Sequence, residues 1–259
     1  MIKHLAELWL LIAAFVFSSG ASSQTTWNIV PGWNLLGNNS IGPLDITTYA
    51  GLADPAKVNS IWTWNNAASR WAFYTPSFDT ATLATYAQSK GYDVLSSVAS
   101  KQGFWVNAKT AVTVTSPWNS GTRLAESDLK QGWNLVGSND NKTPSDLEQQ
   151  LRQSLHLTGK SINTVWAWDN TKSTWRFHSP LLEAQGADAV QNYANAHGYE
   201  IFTSGLSSSV GSWINLSQSD PATATTNLSG VIYERAPSVA DTTIPTSQCS
   251  ATATHSTEW

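Results

Sequence analysis

The side chains that most often carry chemistry are scattered along this chain. Its five histidines, His4, His156, His178, His197 and His255, show no metal-ligand spacing, and no His-Glu-x-x-His motif occurs. No Gly-x-Ser-x-Gly elbow presents a serine nucleophile, and Ser207-Ser208-Ser209 between Gly205 and Gly211 reads as a connection. Ser138-Asn139-Asp140-Asn141 is rich in oxygen but lacks the twelve-residue calcium-loop pattern, so turn chemistry explains it better. No metal site and no cofactor is expected.

Indoles and amides are the candidates that are left. The chain has 14 tryptophans, and ten of them form two matching sets of five. Gly32-Trp33-Asn34-Leu35 returns as Gly132-Trp133-Asn134-Leu135, and Trp62-Thr63-Trp64-Asn65 returns as Trp166-Ala167-Trp168-Asp169. Trp71-Ala72-Phe73 matches Trp175-Arg176-Phe177, Gly91-Tyr92 matches Gly198-Tyr199, and Trp105-Val106-Asn107 matches Trp213-Ile214-Asn215. The offset drifts from 100 to 108, as when two copies of one folding unit differ in loop length. Indole faces suit stacking on sugar rings while neighbouring amides and carboxylates bind hydroxyls. On that basis Trp62, Trp64, Trp71 and Asn65, with Trp166, Trp168, Trp175 and Asp169, are the candidate ligand-binding residues.

The competing reading is structural. Each buried indole removes about 200 Å² from water, or about 5 kcal/mol. A unit of about 95 residues with few Phe, Ile or Met must build its core from such rings. Core packing leads for the set, with one or two rings per copy partly exposed. The recurring asparagines then satisfy indole N–H and strand-end backbone groups.

The elements that position these residues recur in both copies. A strand at Trp33 (Trp133) precedes a variable segment expected to be helical. In the second copy Thr143 as N-cap, Pro144 at the first position and Leu147, Leu151 and Leu155 on one stripe support that helix. Val58, Ser60, Trp62 and Trp64 share one strand face by alternation, and a turn-rich link leads to Trp71 and Phe73. Helices over 80–90 and 187–197 follow, stopped by Gly91 and Gly198. Strands over 92–95, 104–108 and 112–115 complete the unit. The fold class is α+β, mainly β: two similar antiparallel-sheet modules, each with one or two covering helices. His178 matches Tyr74 and His197 matches Lys90, an interchange expected of solvated positions.

The boundaries follow. Residues 1–23 carry Lys3, an apolar stretch from Leu8 to Phe17 and a small-residue stretch, the pattern of a signal peptide too short to span a bilayer. Module one is 24–118, module two is 119–221, and 222–259 is a Ser/Thr/Ala-rich tail holding the single cysteine, Cys249. A net charge of −4 with only 12% charged residues disfavours nucleic-acid binding. No membrane span is expected in the mature chain.

The Gly-Trp-Asn-Leu start, the Trp-x-Trp-Asn hairpin, the Gly-Tyr step and Gly103-Phe104-Trp105-Val106-Asn107 together resemble a tandem Trp-rich repeat of secreted bacterial proteins. The second copy departs from it, with Ser212 in place of Phe104. The resemblance implies an exported surface or accessory protein and supplies no catalytic or ligand residue. The leading functional expectation is a non-catalytic exported module that binds a polysaccharide or surface glycan. The alternative is a structural matrix or scaffold protein whose repeats pack on another protein chain. A hydrolase would need a cleft collecting Asp, Glu or His from both copies; Asp93 and Glu200, one per copy, do not make a dyad.

Overall fold

Aromatic and β-branched residues at alternate positions drive the central hairpin of each copy. In the first, β4 (Val58–Asn65) pairs antiparallel with β5 (Arg70–Tyr74), setting Trp62 opposite Phe73 and Trp64 opposite Trp71. The computed structural model describes residues 24–218 apart from 50, 187 and 208. The expected signal peptide over 1–23, the tail and Cys249 lie outside the described residues.

The first copy is built from β1 (Gln24–Ile29), β2 (Gly32–Gly37), β3 (Leu44–Asp45), β4, β5, α1 (Thr80–Lys90), β6 (Asp93–Val94), β7 (Ser97–Val98), β8 (Gly103–Ala108) and β9 (Val112–Asn119). The second contains β10 (Gly132–Gly137), α2 (Pro144–Leu157), β11 (Lys160–Asp169), β12 (Thr174–His178), α3 (Pro180–Glu183), α4 (Ala189–Ala196), β13 (Glu200–Ile201) and β14 (Gly211–Gln218). Each copy forms one five-stranded sheet of equivalent order, β2-β8-β4-β5-β6 and β10-β14-β11-β12-β13. The fold is α+β and mainly β. All pairings are antiparallel except the edge strands β6 and β13, which join in parallel because helical crossovers return the chain in the same direction. Asp79 caps α1 through the Thr82 N–H at 2.7 Å, and Gly91 ends it at φ 72°.

Two local expectations change, and one strand is added. The variable segment of copy one is not a helix but β3 and turns, because Leu44, Ile46 and Leu52 bury one by one instead of forming a helical stripe. Copy two keeps its helix, capped by Thr143, with Leu147, Leu151 and Leu155 covering the outer face of the second sheet. Val58 leaves the Trp62 face: a bulge at Asn59 sets Val58 opposite Ala108 and Ser60 opposite Asn107, and the same bulge recurs at Asn163. Finally, β1 pairs with β9, burying Trp27 and Ile29 from one side and Val114 from the other. The Thr25, Trp27, Ile29 alternation was the sequence signal for that strand.

The two sheets share one interior. Trp213 of copy two lies 5.9 Å from Trp64 and 5.8 Å from Trp71 of copy one. Reciprocally, Trp105 lies 5.9 Å from Trp168 and 5.8 Å from Trp175. At the junction Gly37 N–H donates to Ser209 O (3.2 Å) and Gly137 N–H to Lys101 O (2.9 Å). Such i-to-j, j-to-i exchange is the mark of an approximate two-fold relation within the chain. Most of these rings meet edge to face, the arrangement that aligns a positive ring edge with a negative face.

Candidate functional site

Burial sorts the expected indoles. Trp62 and Trp166 are fully buried, and Trp71 and Trp175 are 3% and 4% exposed. Their faces are covered by Phe73, Tyr92, Phe177, Tyr199 and each other, so none of the four can stack on a sugar. That corrects the expectation for these residues; they hold the core because neighbouring strands and the opposite copy close over them. Trp64 and Trp168 are half-buried, as are Trp33 and Trp133.

The repeated asparagines serve the backbone. Asn34 accepts from Val30 N–H and donates to Val30 O, Gly32 O and Val106 O, and Asn134 repeats this with Lys130, Gly132 and Ile214. Indole N–H groups go elsewhere: Trp27 to Gly37 O, Trp62 to Ser60 Oγ and Trp168 to Trp33 O. Those of Trp105, Trp166, Trp175 and Trp213 have no oxygen or nitrogen acceptor, and within an all-aromatic kernel the acceptors on offer are ring faces.

Where the copies meet, a cleft of about 520 Å³ opens over the outer side of β4 and β5. Trp64, Asn65 and Asp93 line it from copy one with Ser100 and Lys101, and Asp128 closes it from copy two. Asn65 Nδ2 donates to Asp93 Oδ2 at 3.1 Å, and Arg70 pairs with Asp93 at 2.6 Å. The Arg70 guanidinium, with help from Asn65, holds the Asp93 carboxyl below its ordinary value. Lys101 reaches across to Asp128 at 2.8 Å. Its backbone sits at φ 66°, held by its N–H on Asn38 O and its carbonyl on the Gly137 N–H.

The equivalent place in copy two is filled. Position 72 is Ala and its counterpart is Arg176; both lie mid-hairpin, opposite Thr63 and Ala167. The Arg176 side chain pairs with Asp169 and approaches Glu200 at 3.9 Å, while Lys172 holds Glu200 at 2.7 Å. Burial by itself would raise the Asp169 carboxyl. Hydrogen bonds from Thr171 and Arg176 and from the Lys172 and Thr171 N–H groups outweigh that and hold it far below the ordinary carboxylate range. Asp169 therefore stabilises its own hairpin and faces no open cleft. Of the eight expected residues, Trp64 and Asn65 line the cleft. Sequence reasoning missed Lys101 and Asp128, which lie outside the matching motifs. The Ala72–Arg176 mismatch inside otherwise matching hairpins was the legible signal.

His178 is not solvated as its interchange with Tyr74 suggested. It is 6% exposed and Tyr74 8%, so the exchange is between two buried positions. Burial arises because α3 packs back on β11, the partner of His178's strand, and it pushes the imidazole below its ordinary value against the opposing pull of Glu183 and Glu148. The Ser138–Asp140 loop is held by its own hydrogen bonds: Asp140 accepts from Ser138 Oγ and from Leu124 N–H.

Among the described residues no cluster of three or more His, Cys, Asp or Glu could hold a metal, and no helix is long and apolar enough to cross a membrane. Comparison with protein-family models, curated proteins and solved structures gives no match.

Proposed function

We propose that this chain is an exported, non-catalytic binding protein that holds a neutral glycan in the cleft between its two copies. The observation that carries the reading is the open place at Ala72, which in copy two is filled by the protein's own Arg176. The cleft offers groups that serve hydroxyls, set around Thr63 and Ala72. Asp93 and Asp128 accept sugar O–H groups at lone pairs their cations leave unused, and Lys101 donates. Opposite charges alternate within the site, which suits a neutral polyol better than an ion. The test is calorimetric titration of the full chain with β-linked glucose and N-acetylglucosamine oligosaccharides. The variant Ala72→Arg, which reproduces copy two's filled site, should abolish binding, and Lys101→Ala, which adds no bulk to the buried Ala72 position, should weaken it. Equal binding by the wild type and Ala72→Arg would refute the reading.

A second reading has one specific observation in its favour: the cleft brings together Asp93 and Asp128, one carboxylate from each copy. A glycoside hydrolase needs one protonated partner. Asp93, held ionised by Arg70, is fitted to accept hydrogens rather than to give one. Release of reducing ends from these oligosaccharides, lost in Asp128→Asn, would favour hydrolysis.

A further inference from the structure

We infer that Trp118 is a second, outer contact for the same glycan, an aromatic platform onto which a chain leaving the cleft extends; this rests on the cleft reading above. Trp118 is 43% exposed, whereas the two indole sets lie in or against the shared core. Its ring lies flat against Gly42, where any added Cβ would run into the indole, so that glycine is what lets backbone and ring meet. The indole N–H donates to Pro43 O at 2.9 Å, and the Trp118 backbone N–H donates to Ser116 Oγ at 3.1 Å. The ring is thus fixed from one side, its polar edge is satisfied by the protein, and the side away from Gly42 accounts for its exposure. A prefixed aromatic face loses little entropy on contact, which is what a weak stacking ligand requires.

The surroundings select the ligand class. Among the described residues the one large exposed apolar neighbour is Ile41, whose N–H donates to Asn119 O at 2.9 Å. That patch is far smaller than the ~800 Å² per partner of a stable protein interface. The strands leading to it, β1 and β9, contain no charged residue and expose Thr26, Asn28, Thr113 and Thr115, with Thr26 and Thr115 hydroxyls 3.0 Å apart. A single indole in a neutral field of hydroxyls and amides fits the C–H face and rim of a sugar ring. The strand that carries Trp118 is tied to the cleft wall through buried serines. Ser100, on the cleft wall, donates to Ser40 O at 2.6 Å, and Ser40 Oγ accepts from Ser116 Oγ at 3.0 Å, two residues before Trp118.

The experiment titrates the full chain with disaccharides and hexasaccharides of the two β-linked series. Wild type should bind the hexasaccharide about tenfold more tightly than the disaccharide, because the second contact is intramolecular. Trp118→Ala should remove that gain and leave the disaccharide unchanged, while Trp118→Phe, which keeps a ring, should retain part of it. Trp118 lies outside the core, so both variants should fold. If Trp118→Ala keeps the full gain while Ala72→Arg abolishes binding, the platform fails and the cleft stands. If Ala72→Arg binds normally and Trp118→Ala loses binding of both lengths, the cleft fails and the platform alone is the site. Absence of any wild-type binding removes both.

Discussion

Gly37 and Gly137 touch through their backbones at the junction of the two copies: a Cβ on Gly37 would lie 2.7 Å from Gly137 Cα, and one on Gly137 would lie 2.6 Å from Gly37 Cα. Nothing larger fits, because both neighbours are backbone and cannot rotate away. Gly37→Ala or Gly137→Ala should therefore cost roughly 3 kcal/mol, measured as a shift in the midpoint of chemical denaturation without a change in slope. A loss under ~0.5 kcal/mol would mean that the copies do not meet here.

Trp105 and Trp213 each close the other copy's kernel. Replacing Trp213 by Ala should cost about 3–5 kcal/mol, although its partners Trp64 and Trp71 belong to the other repeat. A shared core also unfolds as one unit, so calorimetry should show one transition with equal calorimetric and van't Hoff enthalpies. Two resolved transitions would mean that the copies fold separately. Residues 24–118 expressed alone should not form a stable monomer, because Trp64 and Trp71 then lack their Trp213 cover.

Asp169 couples the second hairpin to acid. Its folded-state carboxyl lies below the ordinary 3.8, so its contribution is full above that value and is lost as the pH falls toward the folded value. The stability gap between wild type and Asp169→Asn should be widest at neutral pH and narrow below about pH 4. Arg176→Ala, which strips a mostly buried carboxylate of its cation, should cost about 2 kcal/mol at neutral pH, part of the attraction being screened at the rim.

His178 adds a second acid-sensitive step at higher pH. Burial holds it below the ordinary 6.5, so the unfolded chain takes up a proton that the folded chain refuses. Stability should be full above that value and decline as the pH drops through the folded value. His178→Tyr, which copies Tyr74, should flatten this decline in denaturation curves recorded between about pH 7 and pH 5. An unchanged slope would show that His178 titrates normally.

Much of the fold was legible because local physics repeats with the sequence. The α1 span over 80–90, the Thr143–Pro144 start of α2 and the left-handed glycines at 91 and 198 follow from capping and backbone freedom alone. The candidate site was less legible. Trp62 and Trp64 sit two residues apart and look equivalent in sequence, yet Trp62 is sealed by Phe73 and Tyr92 of its own copy while Trp64 stays half-buried against Trp213 of the other, because burial depends on which distant rings reach each one. Lys101 and Asp128 lie outside the matching motifs, so no periodicity announced their ion pair.

The sequence by itself determined the duplication, the hairpin and following helix of each copy and the indole composition of the kernel, since spacing, turn residues and caps act over a few neighbouring residues. Only the tertiary structure decided that the two kernels are one, with Trp105 and Trp213 exchanged across an approximate two-fold. It alone showed that Ala72 leaves open the place Arg176 fills. The reason is that packing is set by non-local contacts between strands about a hundred residues apart, and which face of a ring they cover is not written in the spacing that brings them there.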